Sequence, residues 1–155
     1  MSKHQNLKVM NIKRIIKGVL AAILLSFVLS ASHQVDAQDL YNSKNEFIGR
    51  INPDGSVYGR SNNSLGRIHS DGSVYNRFNN SLGRIHSDGS VYDRFNNSLG
   101  RIHSDGSVYD RSNNSLGRIH SGDSVYDRSN NSIGSARGVK QEWVALFFFF
   151  IDFTS

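Results

Sequence analysis

Apolar positions fall along this chain in two short bursts bounded by polar turns, and the bursts then start again. Leu82-Gly83-Arg84-Ile85-His86 and Ser90-Val91-Tyr92-Asp93-Arg94 are short β-prone runs, which predicts two strands. Ser87-Asp88-Gly89 lies between the bursts and Asn96-Asn97-Ser98 follows them, both runs of turn-forming residues. The 17-residue unit, typically LGRIHSDGSVYDRFNNS, occurs five times, at Ile48–Ser64, Leu65–Ser81, Leu82–Ser98, Leu99–Ser115 and Leu116–Ser132. One such unit cannot bury a core alone, so stacking of neighbours must supply it.

Half-units flank the array. Leu40-Tyr41-Asn42 echoes a second strand, and Ile133-Gly134-Ser135-Ala136 echoes a first strand. Twelve strands are therefore expected. An open layer of that many would leave two edges unpaired, so the array is expected to close into a ring or wind into a solenoid. The fold class is all-β: tandem 17-residue β-hairpins in a flower-like ring or solenoid, with a short C-terminal helical and aromatic cap.

Register can be argued from the turns. Asp88-Gly89 as a two-residue hairpin turn would place Ile85 opposite Tyr92 and Arg84 opposite Asp93. Asn96-Asn97-Ser98 as a three-residue turn would place Tyr92 opposite Ile102 and Asp93 opposite Arg101. An odd turn is needed somewhere, because a repeat step of the wrong parity throws equivalent side chains to opposite faces. These assumptions predict an Ile/Tyr ladder on one face and an Arg/Asp ladder on the other. The column Ser61, Phe78, Phe95, Ser112 and Ser129 switches between polar and aromatic, which places it toward solvent.

The ends differ from the array. Lys13, Arg14 and Lys17 precede an apolar run from Val19 to Leu29, and Val35-Asp36-Ala37 offers a cleavage site before Gln38. Residues 1–37 are expected to be a secretory signal peptide, with 38–138 the repeat domain and 139–155 the cap. Met10 would serve as a more ordinary start. The apolar run is short for a membrane span, so no stable span is expected after cleavage. At the other end Val139, Trp143, Leu146 and Phe147 fall at helical spacing, and Phe147 to Ile151 is apolar all round. That run must be buried, plugging or capping the array.

Cleavage changes the charge argument. The whole chain carries a formal +5, but five of its 18 basic residues and one of its 13 acids lie in the leader. Thirteen bases against twelve acids remain, which is no nucleic-acid footprint. There is no cysteine, hence no disulfide framework.

The leader, the Gly83-Arg84-Ile85 and Asp88-to-Asp93 blocks and the closing aromatic tail together resemble bacterial exported beta-flower proteins of the five-fold type, over roughly residues 39–153. The resemblance implies a repeat-built domain outside the cytoplasm, and it carries no catalytic residues.

Chemistry is sparse. His69, His86, His103 and His120 recur, but equivalent residues two strands apart sit about 9–10 Å from each other, too far to share one metal ion. Each Asp-Gly turn offers one carboxylate where calcium needs six to eight oxygens, so turn chemistry accounts for these aspartates. The Asn-x-Ser triplets are likewise turn residues. Adjacent residues such as His86-Ser87-Asp88 cannot take triad geometry, so no catalytic residues, metal site or cofactor is expected. Tyr75, Tyr92 and Tyr109 either pack on Ile as core or join Phe78 and Phe95 as a binding surface. The expected function is non-catalytic, a structural or interaction role in the cell envelope or outside the cell. The alternative is a module that binds a glycan or peptide through those aromatics, with the natural glycan or protein partner unidentified.

Overall fold

A computed structural model of the chain describes residues 38–120 and 124–154. The expected leader, residues 1–37, lies outside the described residues, as does most of the Ser121-Gly122-Asp123-Ser124 turn. No helix among the described residues is long and apolar enough to cross a membrane.

Each unit folds as the two bursts require. The strands are β1 (Asp39–Asn42), β2 (Phe47–Ile51), β3 (Ser56–Gly59), β4 (Ser64–Ile68), β5 (Ser73–Asn76) and β6 (Ser81–Ile85). They continue as β7 (Ser90–Asp93), β8 (Ser98–Ile102), β9 (Ser107–Asp110), β10 (Ser115–Ile119), β11 (Ser124–Asp127) and β12 (Ser132–Ala136). Every strand is antiparallel to its sequence neighbours, and β12 returns to pair with β1, closing a barrel. The two half-units thus complete the ring. Leu40 faces Ala136 and Tyr41 faces Ser135, the register that Val91 with Ile85 and Tyr92 with Arg84 take inside the array. Of the two expected architectures, the closed ring is the one observed.

The register differs from expectation at both turns. Ile85 faces Val91 and Arg84 faces Tyr92, because the first loop holds three residues, Ser87-Asp88-Gly89, rather than two. The Gly89 amide donates to the His86 carbonyl and the His86 amide to the Ser90 carbonyl, both at 2.9 Å. Only Gly89 has positive φ, at 84°. This is a type I turn followed by a left-handed residue, the commonest three-residue hairpin loop. The Asp88 carboxylate fixes it by accepting from the Ser90 amide at 2.9 Å.

The second loop is also three residues long but starts earlier, at Arg94-Phe95-Asn96. The Asn96 amide donates to the Asp93 carbonyl and the Asp93 amide to the Asn97 carbonyl, each at 3.0 Å. Asn96 takes the left-handed position at φ 66°, a conformation asparagine tolerates better than most residues. Asp93 Oδ1 accepts from the Phe95 and Asn97 amides at 2.9 and 2.8 Å. Its carboxylate is therefore spent on its own loop and builds no ladder with Arg84 and Arg101. After this loop Tyr92 faces Ser98 while Val91 faces Gly100, so Leu99 is an extra, bulged residue.

These registers overturn the Ile/Tyr ladder. Ile85 and Val91 point into the barrel, and Tyr92 lies on the wall outside with Arg84 across from it. The five valines Val57, Val74, Val91, Val108 and Val125 are fully buried, and each such side chain stabilises by about 1.5–3 kcal/mol. The bulge residues Leu65, Leu82, Leu99 and Leu116 pack against this core from half-buried positions.

The chain leaves β12 on the rim of Gly loops and turns into the barrel. Helix α1 (Gln141–Ala145) leads into a π-helical turn, Leu146–Phe150, closed by the Ile151 amide on the Leu146 carbonyl at 2.8 Å. Trp143, Val144, Ala145 and Leu146 are buried. The phenylalanines address a column of strand glycines. A methyl built on Gly134 would meet Phe148 at 2.6 Å, one on Gly117 would meet Phe149 at 3.1 Å, and one on Gly100 would meet Phe150 at 2.8 Å. Three consecutive rings thus lie on the bare backbone of three successive hairpins.

Candidate functional site

The barrel presents two rims and a wall. On the Asn-loop rim each unit offers a tip formed by the residues at the positions of Arg94, Phe95 and Asn96. The serine column sits at the centre of these tips, and in units two and three it is replaced by Phe78 and Phe95. These two rings are 67% and 71% exposed, on neighbouring loops. Each lies under the guanidinium of the residue before it, Arg77 at 4.5 Å and Arg94 at 4.7 Å from the ring centre. Such stacking orders a side chain that solvent would otherwise leave free.

The outer wall carries Tyr75, Tyr92 and Tyr109, half-buried and separated from the core by the sheet itself. Each ring is met by the histidine of its own unit, His69, His86 and His103, at 5.1–5.2 Å between centres. The four histidines of the array are thus engaged one by one along the wall. Among the described residues no group of three or more His, Cys, Asp or Glu is placed to hold a metal ion.

The carboxylates of both rims are spent on their loops. The Ser90 amide and hydroxyl, followed by the nearby Arg101, hold the Asp88 carboxyl below its ordinary range. The Asn97 side chain and amide do the same for Asp93. Asn76 takes the Asp93 role in unit two, accepting from the Phe78 and Asn80 amides at 3.0 Å.

The structure places Phe78 and Phe95 together on one rim and Tyr75 and Tyr92 on the wall of the same two units. Tyr109 lies one unit further round. A depression of about 200 Å³ on that wall is lined by Tyr75, Arg84, Asp93 and Arg94, and so leads from Tyr75 to the Phe95 loop. Sequence reasoning missed Arg84 and Arg94 as parts of this surface. The missing signal was register, since the wall side of a strand is fixed only once its loops are known.

Comparison with known proteins adds one finding. No curated protein and no solved structure matches the chain. Residues 35–152 match the family model described as 5-fold beta-flower protein.

Proposed function

The chain belongs to the 5-fold beta-flower protein family, and from that premise we propose that it is an exported, non-catalytic recognition module that binds a saccharide chain along units two and three. The repeat-built barrel is common ground with the family; the role is inferred from the surface. One observation carries it: Phe78 and Phe95 are exposed on adjacent loops where the other array units keep serine, and each is held in place by a stacked arginine. Equivalent positions two strands apart, about 10 Å, suit stacking on alternate sugars of one chain. Arg94 and the loop asparagines alongside supply hydrogen-bond donors for hydroxyl groups. Export rests on the leader-like residues 1–37.

The test uses the repeat itself. Serine is the resident residue at 61, 112 and 129, so Phe78→Ser with Phe95→Ser should leave the melting temperature unchanged. On an array of neutral and acidic oligosaccharides the parent chain should bind and the double variant should not. Binding that survives both substitutions would remove the aromatic rim from the account. A peptide library hit with no saccharide hit would replace the ligand class.

A further inference from the structure

Helix α1 leaves a cavity of about 640 Å³ between itself and the Gly loops of units two and three. This is the size range of small-molecule sites. Arg84 stands in its wall, and unlike its repeat mates Arg67, Arg101 and Arg118 it has no hydrogen-bonded partner among the described residues. Arg67 binds Asp54 at 2.8 Å and Arg101 binds Asp88 at 3.1 Å, each reaching the loop of the unit before. Arg84 makes no ion pair among the described residues. The acid it would be expected to meet, Asp71, accepts from the Ser73 amide and hydroxyl at 3.0 and 3.1 Å, as Asp54 does from Ser56 and Asp88 from Ser90, but makes no ion pair with Arg84.

A second cation lies across the cavity, where Lys140 is held 4.7 Å from the centre of the Trp143 ring. Glu142 shares the wall and can accept from hydroxyl groups, and the Ser70 and Ser87 loops add polar atoms. Another cavity on the same rim, about 390 Å³ beside units four and five, has no lysine or arginine in its wall. Arg84 also lines the depression that runs toward the Phe95 loop, so the cavity and the wall share one side chain.

The geometry points to an anion subsite in which Arg84 and Lys140 take the carboxylate of an acidic sugar, with Glu142 accepting from its hydroxyls. A planar guanidinium with no internal partner matches a carboxylate through two parallel hydrogen bonds. Asp71 and Glu142 offset the charges of Arg84 and Lys140, so the wall takes at most a single added negative charge and disfavours a dianion. This subsite deepens the saccharide reading given above and rests on it for the ligand's polymeric nature, while the cavity itself can be tested with a single sugar.

Calorimetric titration of the full chain with glucuronate, glucose and glucose 6-phosphate tests it, with Arg84→Gln as the variant and Arg101→Gln as its repeat-matched control. Glucuronate should bind at least tenfold more tightly than glucose. Arg84→Gln should weaken it roughly tenfold to a hundredfold, the worth of a charge-assisted pair, while Arg101→Gln should leave it unchanged. Arg84 is exposed and has no hydrogen bond or ion pair among the described residues, so its loss should not affect melting. Equal binding of glucuronate and glucose, tighter binding of the phosphate, or equal loss in both arginine variants would each overturn the subsite. Failure of glucuronate with neutral oligosaccharides still bound through Phe78 and Phe95 rejects the subsite alone. The reverse pattern keeps the subsite and rejects the aromatic rim.

Discussion

Gly100→Ala tests the packing logic of the barrel where strand and plug meet. A Cβ at this position would lie 2.1 Å from the Tyr109 carbonyl oxygen and 2.8 Å from Phe150 Cε1. The first contact is with backbone on the neighbouring strand, which cannot rotate away. Relief requires β8 and β9 to part by about an ångström, which strains the ladder on both sides, or Phe150 to withdraw from its site. Overpacking of this kind costs about 1–3 kcal/mol where side chains can yield, and more where backbone must move. The φ of 154° adds to the cost, since L side chains rarely adopt it. We therefore expect about 3 kcal/mol or more in denaturant unfolding, with a melting temperature lower by roughly 10–20 °C.

Gly138→Ala supplies the control. Gly138 also has positive φ, at 73°, but a methyl there meets nothing within 4 Å. Its cost should be that of the left-handed backbone alone, about 1–2 kcal/mol. The difference between the two variants isolates close approach from backbone conformation. If both lose the same stability, then the Phe rings and the glycine column are not in tight register and the account of the plug is wrong.

Two further outcomes follow from the loops and the bulge. The carboxyls of Asp54, Asp71, Asp88, Asp93, Asp105, Asp110 and Asp127 are all lowered from an ordinary value of 3.8, chiefly by hydrogen bonds from their own loops. A carboxyl lowered by folding stabilises the native state above its unfolded value and loses that contribution as pH falls through its folded one. Melting temperature should thus change little between pH 7 and about 5, then drop below about pH 4. A drop centred well above about pH 5 would refute the carboxylate account. Deleting Leu99 leaves Tyr92 opposite Ser98 and Val91 opposite Gly100, so Ile102 should stay in the core and the cost should be that of the lost leucine packing, about 1–3 kcal/mol in denaturant unfolding. A loss above about 5 kcal/mol would mean that the bulge itself sets the faces.

Much of the fold was legible because it depends on residue period alone. Two β-prone bursts per unit gave two strands, and the echoes at Leu40-Tyr41-Asn42 and Ile133-Gly134-Ser135-Ala136 gave the strands that close the ring. The faces were misread because Asp88-Gly89 is ambiguous. A glycine at positive φ ends a three-residue loop as readily as it fills a two-residue one, and only the hydrogen bonds of His86 separate them. The bulge was invisible for a different reason: it falls on leucine, which carries no turn signal. Phe78 and Phe95 stood out against a serine column without any structure. Arg84 and Lys140 did not, since they meet only after the chain has gone round the barrel and α1 has folded back across the rim.

The odd length of the unit is a consequence of these devices acting together. Ile85 faces Val91, Val91 faces Gly100, and Gly100 lies two residues short of Ile102, which is the repeat mate of Ile85. The bulge adds Leu99 without changing this offset, which makes the unit odd in length. The offset is even, so equivalent residues share a face, and six such steps close the sheet in register at β1 and β12. An offset of two residues, roughly 6.6 Å, over two strand widths, roughly 9.6 Å, tilts the strands by roughly 35°, as closed barrels require. Such a barrel is nearly symmetric, and a symmetric surface offers the same weak contact many times over. The C-terminal segment breaks that equivalence: it lays its rings on Gly134, Gly117 and Gly100, and it bounds the Arg84 cavity over units two and three. Phe78 and Phe95 mark the same two units at the opposite rim. Two unrelated departures from the repeat therefore fall on one side of the molecule, and that coincidence is what makes this side the place to look for a ligand.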